Sequence, residues 1–125
     1  MFVIAIGGAL GSILRYELSK IIQKKVGLYF PLGTLVVNLL ACFLVGFFFS
    51  YLVEKINVSS SVRAFLITGF LGGFSTFSTF SYESYYLLMN GELLKFLLYI
   101  LGSVGGGIFM TLLGYNLGRV ASVLF

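Results

Sequence analysis

The residues best suited to chemistry lie in one stretch of the chain. Positions 69–83 read Gly-Phe-Leu-Gly-Gly-Phe-Ser-Thr-Phe-Ser-Thr-Phe-Ser-Tyr-Glu, with Phe-Ser-Thr starting at Phe74 and again at Phe77 and degenerating at Phe80-Ser81-Tyr82. A lipid-facing helix has no use for so many hydroxyls. A three-residue repeat is also out of step with the ~3.6 residues per helical turn, so its Phe stripe drifts around a regular helix. Gly72-Gly73 is the natural place for a break. Broken helices at membrane depth leave amides and carbonyls unpaired and are tolerated only where protein or a polar cavity covers them. Freed carbonyls suit a hard cation such as sodium. The plainer reading is a Gly-Ser-Thr packing face whose hydroxyls bond back to the preceding turn.

Around this stretch stand further candidates. Phe77 and Phe80 are three apart and can share one face. Aromatic rings have a positive edge, so rings turned edge-on can contact a small anion without a fixed charge, with the Ser78 and Thr79 hydroxyls beside them. Asn38 sits in the middle of an apolar run, where an unbonded amide is costly. It either glues helices together or lines a polar path, and its NH2 group is an anion donor. Tyr99 and Ser103 lie one helical turn apart and can donate from one face. Arg15 suits the positioning of a helix or the drawing of anions toward an entrance better than ion binding in mid-membrane. The chain has no His and a single Cys, Cys42, so an internal disulfide is excluded and a transition-metal site is implausible.

The elements that carry these residues follow from composition. Of 125 residues, 59% are hydrophobic and 10% charged, with mean hydropathy +1.08. A soluble domain carries roughly 25% charged residues. A membrane-spanning helix needs about 20 mostly apolar residues. Uncharged runs cover Val26 to Val53, Ala64 to Tyr82 and Phe96 to Gly118. The first run stops at Leu14 and becomes a span only if the helix continues through Arg15, Glu17 and Lys20. The expectation is a single all-α domain over 1–125 with four transmembrane helices, at about 2–22, 32–53, 63–89 and 94–118, the third broken near Gly72-Gly73.

Four spans place both termini on one side. Lys55, Arg63 and Arg119 then face Lys20, Lys24, Lys25 and Lys95 across the membrane. Lys/Arg bias sets orientation, and so even a division gives almost no instruction. Either boundary effects decide the orientation, or the chain inserts both ways up and assembles as an antiparallel pair. Four short helices hardly enclose an aqueous path alone, and a symmetric dimer is the commonest solution. Gly7/Gly11, Gly69/Gly73, Gly102/Gly106 and Gly114/Gly118 are small-xxx-small pairs fit for close helix contact. Whether each acts within or between chains is open at this level.

Three segments together resemble a known family. Gly7-Gly8-Ala9-Leu10-Gly11-Ser12-Ile13-Leu14-Arg15-Tyr16 looks like the opening motif of the Fluc/CrcB fluoride channels. Pro31-Leu32-Gly33-Thr34-Leu35-Val36-Val37-Asn38 resembles the family's second-helix signature, and Gly72 to Ser81 with Glu83 its third-helix motif. The likeness covers essentially the whole chain. It implies an antiparallel dual-topology dimer in the cell membrane, with two passive fluoride pathways that are highly selective over chloride and confer fluoride resistance. It implies that Asn38, Phe77 and Phe80 line the pore and that Ser78 and Thr79 belong to a polar track toward Glu83. Tyr99 and Ser103 fit the family's polar positions on the fourth helix. It further implies a structural sodium ion on the dimer axis, held by the carbonyls of Gly72 and Ser75 from each subunit. Many relatives have Thr where this chain has Ser75, a change that a carbonyl ligand tolerates. Arg15 and Thr34 would be structural or line a vestibule. The partner would be a second copy or a homologous subunit, with no nucleic acid and no organic cofactor.

The competing class is a small four-span proton-coupled multidrug exporter. It would need a buried carboxylate, and Glu17 is the only candidate in the first span, with Lys20 one turn away. A non-transporting assembly factor would explain the glycines but leave Asn38 and the Phe-Ser-Thr repeat idle. No nucleophile–base pair or Walker-type loop points to an enzyme.

Overall fold

The computed structural model describes residues 1–26 and 30–125. Among these residues every regular element is a helix, with no strand. Helix α1 is Phe2–Val26 and runs on through Arg15, Glu17 and Lys20. Helix α2 is Leu32–Ile56, wound as regular α-helix to Phe47 and in wider π-type turns over Phe48–Ile56. Asn57, in the left-handed region at φ 58°, ends it. An Asn tolerates that conformation because its short amide can bond locally. Helix α3, residues 60–74, starts at Ser59, whose hydroxyl accepts from the Val62 N–H at 3.3 Å. Helix α4 is Phe77–Met89, and a turn through Gly91, at φ 73°, leads into α5, Leu93–Leu124.

Among the described residues, four spans are long and apolar enough to cross a membrane, with α3 and α4 together forming the third. Large apolar side chains stand exposed along α1 and α5, among them Ile13, Leu101, Ile108 and Phe109. Lipid is the medium that such a surface requires.

Two helix pairs build the bundle: α1 packs on α3, and α5 packs along α2. Glycine sets both contacts. A methyl group at Gly7 or Gly11 would strike the carbonyls of Phe65 and Phe70, and one at Gly73 that of Gly8. A methyl at Gly114 would strike the Phe43 carbonyl, and one at Gly118 the Ser50 hydroxyl. Three of the four small-residue pairs therefore act inside one chain. At Gly102 and Gly105, by contrast, an added methyl meets nothing within 4 Å.

The Gly114 contact is with backbone, which cannot rotate away as a side chain can. Gly114→Ala is expected to destabilise the bundle by about 1–3 kcal/mol through overpacking. A fall in the thermal midpoint in detergent checks this, and an unchanged midpoint would show that α2 and α5 separate freely. Among the described residues there are two buried clusters. Val37, Ala41 and Phe74 form one with Leu18. Phe80, Leu87 and Tyr99 form the other, with Phe30, Leu35, Phe96 and Ile100 against them.

Candidate functional site

The break in the third span falls at Ser75–Thr76, two residues past the glycine pair expected to make it. Gly72 is still helical (φ −61°, ψ −36°), and the chain turns extended only at Ser75 (ψ 157°) and Thr76 (φ −148°, ψ 118°). Glycine flexibility does not cause it; competition for hydrogen bonds does. The Thr76 N–H donates to Asn38 Oδ1 at 2.8 Å, and Asn38 Nδ2 donates to the Thr76 carbonyl at 3.0 Å. The Thr79 N–H turns to Thr76 Oγ1 at 3.3 Å, which caps α4. Ser75 Oγ bonds back to the Leu71 carbonyl at 3.0 Å.

These diversions have a consequence for the carbonyls. In a continuous helix the Gly72 carbonyl would accept from Thr76 N–H and the Ser75 carbonyl from Thr79 N–H. Both donors are committed to side chains instead. Gly73 lies between them, and its carbonyl accepts from Arg15 Nε at 3.0 Å. Arg15 thus pins α1 to the end of α3. Gly72 and Ser75, both exposed, thereby lose the helical donors that their carbonyls would otherwise meet.

Beside the break lies a cleft of about 240 Å³ lined by Asn38, Cys42, Ser75, Thr76, Phe77, Phe80, Ser103 and Val104. The reciprocal bonds to Thr76 fix the orientation of the Asn38 amide, since one edge must accept and the other donate. An amide nitrogen carries two hydrogens, so one remains for the cleft. The Ser103 hydroxyl is buried and has no hydrogen-bond partner among the described residues. Such an orphan is costly unless something else meets it. The Phe77 and Phe80 rings touch at 5.7 Å between centroids, tilted 52°. Their exposures differ sharply: Phe80 is 8% exposed and Phe77 78%. Phe77 therefore points out of its own chain.

Toward the α4–α5 turn lies a second polar contact. Tyr99 is fully buried, and its hydroxyl donates to Glu83 Oε1 at 2.9 Å. Phe80 lies 5.1 Å from the Tyr99 ring, and Phe30 stands edge-on to it at 5.7 Å and 81°. Two cavities open at this end. One, about 390 Å³, is cationic and hydroxylated, lined by Arg15, Ser19, Lys20, Lys24, Thr34, Thr76 and Thr79 among others. The other, about 570 Å³, is lined by Glu83, Glu92, Lys95, Tyr82 and Tyr86 with their neighbours. Ser78 is exposed on α4, outside these three linings. Thr34 is buried at the wall of the cationic cavity.

The structure thus brings Asn38, Ser75, Phe77, Phe80 and Ser103 to one cleft, joins Glu83 to Tyr99 through a neighbouring contact, and sets Arg15, Thr34 and Thr79 around a separate mouth. Thr76 and Phe30 did not stand out in the sequence. Thr76 carried a signal, a hydroxyl three residues before another at a helix start. Phe30 carried none, because its role depends on a ring 69 positions away. Glu17 is half exposed at 52% and lies 3.6 Å from Lys20, so it is not the buried carboxylate that a proton-coupled exporter needs.

Comparison with known proteins bears on this geometry. The family described as CrcB-like protein, Camphor Resistance (CrcB), matches residues 2–115. The chain belongs to the CrcB family. All the cleft and mouth residues named above fall inside the matched segment. Among CrcB relatives, a protein of Aquifex aeolicus named fluoride-specific ion channel FluC is 58% identical over 95% of this chain and 96% of its own length. A protein of the same name from Thermus thermophilus is 49% identical over 92% of this chain and 91% of its own. Another, from Chloroflexus aurantiacus, is 42% identical over 93% and 92%.

Proposed function

We propose that this chain forms a passive, fluoride-selective channel, in the cell membrane, that releases cytoplasmic fluoride. The observation that carries the reading is the cleft at the helix break, where a buried orphan hydroxyl, a spare amide hydrogen and two tilted rings converge. Those are the groups that fluoride needs. The ion is small and strongly hydrated, so a pore must replace its water with donors and ring edges yet bind weakly enough to let go. Asn38 and Ser103 supply donors, Phe77 and Phe80 supply edges, and the Tyr99–Glu83 pair continues the track. Ser78 and Thr79 flank it. Arg15, Lys20 and Lys24 gather anions at the cationic mouth. A membrane potential negative inside drives an anion outward without further energy input. The named channel relatives support the same substrate. The chain is thus an ion channel and not an enzyme.

The working unit is an antiparallel dimer of two copies, or of this chain with a homologous one. Phe77 points outward, and the open Gly102/Gly105 stretch of α5 awaits a close neighbour. The near-balanced charges accommodate both orientations. A resident sodium ion fits the break. The freed carbonyls of Gly72 and Ser75 are hard oxygen donors, and two copies would provide four. Bound there, sodium would supply positive charge that ties the two breaks together.

The test is efflux from liposomes that hold only this purified chain. Fast fluoride release with no chloride leak is expected. Chloride release at a similar rate, or no fluoride release even with a co-expressed homologous chain, would overturn the reading.

A further inference from the structure

Gln23 stands at a junction that neither the cleft nor the break explains. It lies near the end of α1, and its side chain lines both mouth cavities, the cationic one and the one holding Glu83, Glu92 and Lys95. Its Nε2 donates to the Phe30 carbonyl at 2.8 Å, and its Oε1 accepts from the Gly33 N–H at 3.1 Å. The second bond satisfies one of the orphan donors in the first turn of α2, which Pro31 does not cap with a side chain. The first holds the residue whose ring stands edge-on against Tyr99. Tyr99 in turn touches Phe80 and donates to Glu83. A chain of direct contacts therefore runs from Gln23 through Phe30 to the aromatic and acidic end of the track.

We infer that Gln23 is a positioning residue for the anion path: it fixes Phe30, through Phe30 the Tyr99 hydroxyl, and forms part of the wall between the two oppositely charged mouths. A capping side chain alone would need only the acceptor. The donor bond to Phe30 is the one that reaches the path. The inference rests on the channel reading.

Fluoride efflux from liposomes tests it in a double-mutant cycle with Tyr99→Phe. Gln23→Met keeps the length of the side chain and loses the bonds to Phe30 and Gly33. It is expected to slow efflux about tenfold, the size of effect that one or two displaced hydrogen bonds produce. Gln23→Glu keeps the acceptor for Gly33 and loses the donor to Phe30. It is expected to slow efflux as Gln23→Met does while retaining more of the thermal stability. In a Tyr99→Phe background, Gln23→Met is expected to cost less than about twofold more, because the hydroxyl it positions is already gone. A merely structural Gln23 would lower stability and multiply with Tyr99→Phe. Wild-type rates in Gln23→Glu, or fully multiplicative effects, would overturn the inference and leave the channel reading standing. If Gln23→Met does not fold, Gln23→Glu and its double mutant decide alone. A wild-type chain that releases no fluoride either alone or with a co-expressed homologous chain would overturn both.

Discussion

Replacing Phe80 with isoleucine is expected to cut fluoride efflux about a hundredfold, equivalent to roughly 2.7 kcal/mol on the barrier. Phe80 is buried, with its ring between Phe77 and Tyr99 at 5.7 Å and 5.1 Å. Isoleucine is apolar and smaller, so α4 keeps its register and most of its packing. The two ring contacts are worth only about 0.5–1.5 kcal/mol each, too little to unfold the bundle. What disappears is the positive ring edge that the proposed pathway uses in place of water around a small anion. Gel filtration and thermal melting should show an assembled protein while the efflux assay shows the loss. Unchanged efflux from a folded Phe80→Ile variant would remove the ring edges from the pathway.

Asn38→Asp is expected to have a larger effect, abolishing efflux within the sensitivity of the assay. The native amide accepts from the Thr76 N–H and donates to the Thr76 carbonyl. A carboxylate keeps the first bond and turns the second into oxygen facing oxygen. It also sets a negative charge in a half-buried cleft, where a charge that loses its bonding partner costs several kcal/mol or drives protonation. An approaching anion meets that charge at close range. Two readouts separate these effects. The break is weakened, so the thermal midpoint falls. Conduction fails even at temperatures where the variant remains folded. Normal efflux from a folded Asn38→Asp chain would take Asn38 out of the path and leave it as the strut that holds Thr76.

Asn38 and the Phe pair differ in how much of their role is local to the chain. Asn38 was recognisable as either glue or donor, because an amide among Val37 and Leu39 must be bonded. The structure makes it glue by showing its partner, and leaves one hydrogen for the second task. Phe77 and Phe80 were recognisable as a pair by their spacing, and their rings do meet. That one is buried and the other points outward was not readable, since each exposure depends on what α5 covers. Residue type points to a break at Gly72-Gly73, the residues most able to flex. It falls instead where the helical donors find better acceptors, while Gly73 spends its missing side chain on contact with Gly8.

The medium, the helical class and the polar stretch follow from the residues alone. These are sums of local terms: the transfer free energy of uncharged runs, the reach of about 20 residues across a bilayer, and hydroxyls too dense for lipid. Only the tertiary structure decided which glycines face which backbone, where the third span breaks, and which polar atoms are left unpaired. Those outcomes are competitions between partners far apart in the chain. The Thr76 amide chooses Asn38, 38 positions away, over Gly72 four positions away. The Ser103 hydroxyl lacks a partner among the described residues only because of how the helices around its cleft pack. No local pattern encodes such a choice, because its energy exists only once the helices have packed.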